Sequence, residues 1–299
     1  MRLFKIFSVL FFFISYASFG QTNDDLYSRL NAISNGKTDF FNVDGIDITS
    51  QALNTKFTKK NILKKFYGFR LKESDLNSSD SLIDFQNFYV EQKELITDGI
   101  IQNTSYYFIE NFNKGLTAIT FVSINKQDRN FEREFVKKIY ENSIPKEVYE
   151  QLKIDSINFA GRKISLDGSC RWMGINNVQC PTFGQMNWSV HKTLEDALQN
   201  ETNQYNIIKS KKDGQIISEE IVDIVFEGTE VKSKKVVYDF KGINSVLVGI
   251  SGGKTLTIYF VAAPVRENFV SCVLSFWNND NINPSGLPPL LEEVMRLKN

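Results

Sequence analysis

The sequence predicts an α+β protein in which antiparallel sheets, flanked by a few helices, form two lobes after a cleaved signal peptide. Strand patterns occur in runs joined by short turns that contain Gly or Asn, as expected for antiparallel hairpins. Helix patterns stand between these runs instead of alternating with single strands, which argues against an α/β fold. We place the signal peptide at residues 1–20, the N-terminal lobe at 21–150 and the C-terminal lobe at 151–299.

The chain opens with the pattern of a secretory signal peptide. Arg2 and Lys5 precede an apolar run over 6–14, and Ser18 and Gly20 supply the small residues of a cleavage site. This run is shorter than the about 20 residues that cross a bilayer, so we expect no transmembrane segment after signal cleavage. The alternative is an uncleaved N-terminal anchor. The pattern predicts a periplasmic or secreted protein.

In the N-terminal lobe, apolar spacing and turn residues predict three helices and three strands. The helices are predicted at Asp25–Ile33, Thr58–Phe66 and Phe131–Glu141, the last capped by Asn130. A polar, turn-rich segment is expected between the first helix and residue 50. The strands are predicted at Ser81–Glu91, Ile100–Glu110 and Leu116–Ile124, with a hairpin turn over 111–115.

The C-terminal lobe is predicted to contain more strand than helix. A helix begins at the capping residue Thr193 and runs to Ser210, and a last helix covers Leu290–Leu297 after two prolines. Strands are predicted at Ser156–Leu166, Gln215–Phe226, Val231–Phe240, Ser245–Ile250, Thr255–Ala263 and Asn268–Trp277. Glycines between these strands mark their turns.

The charge balance argues against a nucleic-acid partner. The chain has 35 Lys and Arg against 35 Asp and Glu, a formal net charge of +0 at pH 7. A neutral chain has no global field to attract a polyanion. We therefore expect no nucleic-acid binding, and we look for function in local sites.

The cysteines predict one disulfide. Cys170 and Cys180 are close in sequence, and an exported chain folds where disulfides form. The alternative is that both stay reduced. Cys272 lies in a strand pattern with apolar neighbours, where a buried thiol is expected.

The motif search finds no catalytic, cofactor or metal signature. Gly249 to Gly253 matches the nucleophile elbow G-x-S-x-G with Ser251, but a strand pattern follows where the elbow needs a helix. The next residues lack the first glycine of a P-loop. His191 is the sole histidine, so a His-rich zinc site is excluded. A nucleophilic pair of His191 with one of the two cysteines would require the disulfide to be absent. We expect no cofactor and no metal.

Two groups of residues remain as candidates for function. The segment after Cys170 presents five residues of the types found in contact surfaces, in a loop that the disulfide would make rigid: Arg171, Trp172, Met173, Asn176 and Asn177. The alternative for Trp172, as for Trp188, is a place in the core. The second group is a pair of acid/base carboxylates, Glu219 and Asp223, which lie on one face of a predicted strand.

These groups give two hypotheses. The first is a non-enzymatic exported module that binds another protein in the cell envelope or extracellular space, such as an inhibitor or a toxin-immunity protein. The alternative is an envelope hydrolase that acts on glycan or peptide through paired carboxylates. A hydrolase should place Glu219, Asp223 or another carboxylate in a pocket with a raised pKa, whereas a binding module should present Arg171 and Trp172 on a convex or flat surface.

Overall fold

The computed structural model describes residues 26–241 and 253–298. The predicted signal peptide, the predicted strand Ser245–Ile250 and the Ser251 turn lie outside the described residues. Within the described residues, 17 strands and 5 α-helices form an α+β fold with mostly antiparallel sheets, as predicted. No helix in these two ranges has the length and apolar composition needed to cross a bilayer.

The first half of the chain forms a seven-stranded sheet. Its order is β4-β5-β6-β3-β2-β1-β7, and every pair is antiparallel except β1 with β7. The strands are β1 (Asn31–Asn35), β2 (Thr38–Val43), β3 (Ile46–Lys56), β4 (Asn87–Thr97), β5 (Ile100–Glu110), β6 (Gly115–Ile124) and β7 (Tyr149–Glu150). The helices of this half are α1 (Leu26–Arg29), α2 (Lys59–Lys65) and α3 (Arg129–Tyr140), with short 3₁₀ turns at Tyr67–Phe69, Glu73–Asn77 and Lys146–Val148.

Both faces of this sheet are buried because helices pack on each of them. Side chains alternate along a strand, so Tyr107 of β5 joins the core with Phe135 of α3, and Phe108 joins the opposite core with Phe66. The Phe66 and Phe108 ring centroids lie 5.5 Å apart. This double burial explains why residues 103–109 of β5 are all buried and why its second half, 106–109, is an unbroken aromatic and apolar run.

The second half forms an eight-stranded sheet in the order β10-β11-β12-β16-β15-β14-β13-β17. Its strands are β10 (Arg171–Gly174), β11 (Asn177–Cys180), β12 (Gly184–His191), β13 (Gly214–Phe226), β14 (Thr229–Phe240), β15 (Thr255–Val265), β16 (Asn268–Trp277) and β17 (Met295–Leu297). A separate hairpin consists of β8 (Ser156–Phe159) and β9 (Arg162–Ser165). The helices are α4 (Leu194–Ser210) and α5 (Pro289–Glu292).

The two faces of the second sheet have different environments. One face packs against the β8–β9 hairpin and α5 and forms the largest apolar core, which includes Trp188, Val261 and Leu290. Helix α4 covers only part of the other face, where Tyr205 packs against Phe260. The rest of that face, toward β10, is not covered by α4 and is polar.

The structure corrects three sequence predictions. The helix predicted at Asp25–Ile33 ends at Arg29, and the turn-rich segment after it is the three-stranded β1–β3 meander, joined by tight turns such as Asp44–Gly45, both with positive φ. The strand predicted at Ser81–Glu91 begins at Asn87. The last helix ends at Glu292, because Met295–Leu297 pairs with β13 as a strand.

Helix α3 also begins two residues earlier than predicted, at Arg129 instead of Phe131. Its cap is Asp128, whose carboxylate accepts hydrogen bonds from the backbone N–H groups of Asn130 and Phe131. Asn130 is therefore the second residue of the helix and not its cap. Asp and Asn are both favoured N-cap residues, so the sequence alone does not distinguish Asp128 from Asn130 as the cap.

Helix α4 begins at the predicted cap, which gives a first test of stability. Thr193 Oγ1 accepts a 3.1 Å hydrogen bond from the Asp196 N–H. Thr193→Ala is expected to lower the free energy of unfolding by about 1 kcal/mol, because this N–H loses its partner. Thr202→Ala, on the exposed middle of the same helix, is the matched control, and urea denaturation of both variants measures the difference. Equal effects at the two positions would contradict a capping role.

Candidate functional site

The predicted disulfide is present and defines the candidate site. Cys170 and Cys180 are bonded, with their Cα atoms 4.1 Å apart, and they close the β10–β11 hairpin. Neither Cys170 nor Cys180 has a free thiol, which removes the alternative that one of them is a nucleophile beside His191. Cys272 is a fully buried free thiol, and burial raises its pKa well above the usual value. It is accordingly an unreactive core residue.

Strand β10 is the edge of the second sheet. It pairs only with β11 among the described residues, so the main-chain groups on its outer side have no strand partner. Arg171 pairs in register with Gln179, and Trp172 with Val178. The disulfide and this short ladder fix the hairpin against the core.

The structure separates the five predicted contact residues. Arg171 and Met173 are exposed, Met173 to 55%, and they lie on the face of β10 that is turned away from the large core. Trp172 is half-buried on the opposite face, packs against that core and donates a 3.0 Å hydrogen bond from Nε1 to the Gln151 carbonyl. Trp188 is buried, 2% exposed. Trp188 thus lies in the core and Trp172 packs against it, which agrees with the alternative prediction for these two residues.

The two asparagines do not join this exposed surface. Asn176 is only 1% exposed, because it sits in the positive-φ turn of the hairpin and its Nδ2 donates to Asn42 Oδ1 of β2 at 3.4 Å. Asn177 is half-buried and accepts a hydrogen bond from Gln185 Nε2 at 3.2 Å. The exposed part of the predicted surface is therefore Arg171 and Met173.

A cavity of about 320 Å³ adjoins Arg171 on the part of the sheet face that α4 does not cover. We call it the ladder cleft, because its floor is a row of polar side chains that pair in register across four neighbouring strands: Arg171, Gln179, Gln185 and Ser275. Trp277 and Asp280 form the far wall. The cleft therefore runs across the sheet, from the free edge at β10 toward β15.

The ladder cleft offers hydrogen-bonding groups that the fold does not use. Arg171 has no ion pair, and the Gln179 amide has no hydrogen bond, within the described part of the chain. Gln185 uses its Nε2 on Asn177, which leaves Oε1 as an acceptor. At the far wall, burial raises the pKa of Asp280, although the Trp277 N–H donates to its carboxylate at 2.8 Å. The cleft is thus cationic at the sheet edge, with neutral donors and acceptors along its floor.

Sequence reasoning missed Gln179, Gln185, Ser275 and Trp277. The signal was present in part, since polar residues alternate with buried ones in Asn177–Cys180 and in Gly184–Asn187. Reading the Cys180–Gly184 segment as a hairpin turn would have placed Gln179 opposite Gln185. Ser275 and Trp277 come from a distant strand and have no local signal.

The predicted acid/base carboxylates lie elsewhere. Glu219 and Asp223 share one exposed face of β13, as predicted. Glu219 accepts a 2.7 Å hydrogen bond from Tyr205 Oη, and this bond, with the charge of Lys234, holds its pKa below the usual value despite some burial. Asp223 pairs with Lys232 at 3.1 Å on the surface. A general acid needs a raised pKa, so the environment of Glu219 has the opposite effect.

No metal-ligand cluster occurs in residues 26–241 or 253–298, where no three His, Cys, Asp or Glu side chains are arranged to hold an ion. The described residues that line the ladder cleft include no histidine and one carboxylate. Its residues can form hydrogen bonds and one charge interaction with a ligand, so they are suited to binding.

Comparisons with known proteins give no family. No family model and no curated protein matches the chain. Among solved structures, the chain is similar to the di-domain ARO/CYC StfQ from the steffimycin biosynthetic pathway, with a TM-score of 0.16 and 11% identity over 89% of this chain and 77% of that chain. It is also similar to the di-domain ARO/CYC BexL from the BE-7585A biosynthetic pathway, with a TM-score of 0.15 and 8% identity over 83% and 74%. TM-scores this low carry no argument about fold or function.

Proposed function

We propose that the protein is an exported, non-enzymatic module that binds another protein at the disulfide hairpin. The observation that carries this proposal is the free edge of β10, which the disulfide fixes beside the ladder cleft. A rigid, preformed surface loses little conformational entropy on binding. An inhibitor or an immunity protein that must hold its target firmly would benefit from such a surface.

The recognition mode that suits this edge is strand addition. An extended segment of the partner can pair its main chain with the outer N–H and C=O groups of β10, and its alternate side chains then face the ladder cleft. Arg171 lies at the entrance of the cleft and favours an acidic side chain of the partner. The amides of Gln179 and Gln185 can bond polar groups further in.

The place of action that we propose is the periplasm or the extracellular space. The N-terminal sequence pattern favours export. A disulfide that closes a surface hairpin favours an oxidising compartment, because thiols in the cytosol are kept reduced. Localisation of the tagged protein by cell fractionation tests this part of the proposal directly.

The partner surface is tested by affinity and then by substitution. Purification of the tagged protein from its native cell envelope under non-reducing conditions, followed by mass spectrometry, is expected to yield a stoichiometric protein. Arg171→Ala and Met173→Ala are each expected to weaken binding of that partner by about 1–2 kcal/mol, because both side chains are exposed at the free edge. Titration calorimetry measures the change.

Glu219→Ala and Asp223→Ala are the matched controls, since both remove a charged side chain from the exposed face of β13. They should bind the partner as the wild type does. Wild-type affinity for both Arg171→Ala and Met173→Ala would show that the partner uses another surface. Loss of a measurable hydrolytic activity in the two carboxylate variants would instead support the alternative hydrolase hypothesis.

A further inference from the structure

A second candidate site, separate from the ladder cleft, lies where the two sheets meet. There the β2–β3 turn contacts the end of β12. The Asp44 N–H donates to the Val190 carbonyl at 3.0 Å, and the Lys192 N–H donates to Asp44 Oδ1 at 3.0 Å. Arg29 Nε holds the same carboxylate at 2.9 Å. These bonds fix one wall of a cavity of about 410 Å³ between the two sheets, which we call the junction cleft.

The lining of the junction cleft combines apolar and polar groups. Leu26, Ile46, Ile124 and the Phe131 ring supply apolar surface from the first half of the chain. The facing side of α4 supplies the amides of Gln199, Asn200 and Asn203. A cavity of this size, with some apolar lining and several convergent polar groups, is typical of a small-molecule site.

The charges of the junction cleft favour an uncharged ligand. Arg29 is paired with Asp44, and Lys126 Nζ lies 3.3 Å from Asp196 Oδ1. With Lys192, Asp128 and Glu134, the lining has three cations and four carboxylates, so the two signs of charge nearly balance. Glu134 is exposed at the cleft and makes no ion pair or hydrogen bond within the described ranges. A free carboxylate accepts hydrogen bonds from hydroxyl groups without requiring a cation.

The amides of α4 keep both donors and acceptors free for a ligand. Asn200 Nδ2 donates to Ser189 Oγ at 2.8 Å, which leaves Oδ1. Gln199 Nε2 donates to Asn203 Oδ1 at 3.0 Å, which leaves Gln199 Oε1 and Asn203 Nδ2. A hydroxyl group both donates and accepts, so a polyhydroxylated molecule can satisfy this mixed set, while Phe131 offers a surface for its C–H groups.

We infer that the junction cleft binds a neutral carbohydrate of mono- or disaccharide size. The site shares no residue with the ladder cleft, so it is independent of the protein partner proposed above. The nearly balanced charges of the lining disfavour a strongly charged ligand, and the amides, the Glu134 carboxylate and the aromatic ring complement a sugar.

His191 supplies a unique reporter for this site. It lines the junction cleft, its Nε2 lies 2.7 Å from Ser189 Oγ, and it is the sole histidine of the chain. Its Nδ1 has no hydrogen-bond partner in the described residues. Burial lowers the pKa of His191 to about 4, against opposing effects of Asp44 and Asp196, so the ring is neutral at pH 7.

The test is a titration of the purified protein labelled with ring-¹⁵N histidine, which shows signals from one imidazole only. Glucose, N-acetylglucosamine and maltose are the probes, and sodium glutamate and sodium phosphate are the charged controls. A saturable shift of the His191 ring nitrogens with at least one sugar is expected. No saturable shift with any of the three sugars, or a shift with the charged controls only, would overturn the proposal.

Substitution then locates the bound sugar. Glu134→Gln is expected to weaken the affinity about tenfold, which corresponds to about 1.4 kcal/mol. Glu141→Gln, at the end of the same helix and outside the cleft, should leave the affinity unchanged. Arg171→Ala should also leave it unchanged while weakening the protein partner. Equal affinities for the Glu134→Gln and wild-type proteins would place the sugar elsewhere and overturn the proposal.

Discussion

Replacing Asp80 with alanine is expected to lower the free energy of unfolding by about 3 kcal/mol, the cost of breaking a buried ion pair. Asp80 Oδ2 accepts hydrogen bonds from Arg129 Nη2 at 2.7 Å and from Arg133 Nε at 2.8 Å, and Oδ1 accepts from the Leu82 N–H. The Asp80 side chain is 3% exposed. Its removal leaves two guanidinium groups of α3 without their shared partner.

The expected effect lies at the low end of the range for buried pairs because both arginines retain some contact with water. Arg129 also stacks on the Tyr89 ring, with its guanidinium carbon 3.4 Å from the ring centroid, and the alanine variant keeps that contact. Urea denaturation measures the change. Asp223→Ala removes an exposed ion pair and should change stability by less than about 0.5 kcal/mol. Equal losses in the two variants would contradict the bridging role of Asp80.

Asp80 also predicts an acid dependence. Burial alone would raise its pKa, but the hydrogen bonds from Arg133 and Leu82 and the charges of both arginines outweigh burial and hold the pKa below 3.8. The folded state therefore binds the Asp80 proton less readily than the unfolded chain does. The stabilisation is present above the pKa that Asp80 has in the unfolded chain, and it is lost as the pH falls through the lower pKa of the folded state. Asp80→Asn should show a weaker loss of stability over that acid range.

Much of the fold could be predicted where local patterns are strong. β5, β16 and α4 have the predicted bounds or differ by one residue, since a hairpin turn marks the end of β5, an apolar run defines β16 and a clear cap begins α4. The β1–β3 meander could not be predicted in this way. Its strands contain many Asn, Asp, Thr and Ser residues, and the meander joins the sheet through the pairing of β3 with β6, which is distant in sequence. β17 was mistaken for helix because only its pairing with β13 makes it a strand.

In the candidate site too, local features could be predicted and contacts between distant segments could not. The disulfide and the exposed Arg171 could be predicted, because cysteine spacing and residue type are local properties. The ladder cleft could not be predicted, because Gln185 meets Ser275 only through the β12–β16 pairing. The pairing of Asp44 with Arg29 and the β12 end is likewise a contact between distant segments. Sequence reasoning thus found the rigid hairpin but not the surface beside it.

Removing the disulfide is expected to reduce both stability and partner binding. In the Cys170→Ala, Cys180→Ala double variant, the free energy of unfolding should fall by about 2–3 kcal/mol, the chain-entropy value for a loop of this length. The two cysteines are 10 residues apart, so the bond restricts a short segment of the unfolded chain. Urea denaturation measures the loss. Addition of a reducing agent should destabilise the wild type but leave the double variant unchanged, because Cys272 forms no disulfide.

The effect on binding follows from the position of β10. This strand has four residues, pairs only with β11 among the described residues, and contains an irregularity between Trp172 and Gly174. Without the disulfide, β10 must become ordered when the partner binds, and the entropy cost of this ordering reduces the affinity. The affinity for the partner should therefore fall by more than in Arg171→Ala. Hydrogen exchange should show faster exchange in β10 and β11 and unchanged exchange in β5. If the double variant binds the partner as the wild type does, the hairpin is not the contact surface, and the disulfide acts only on stability.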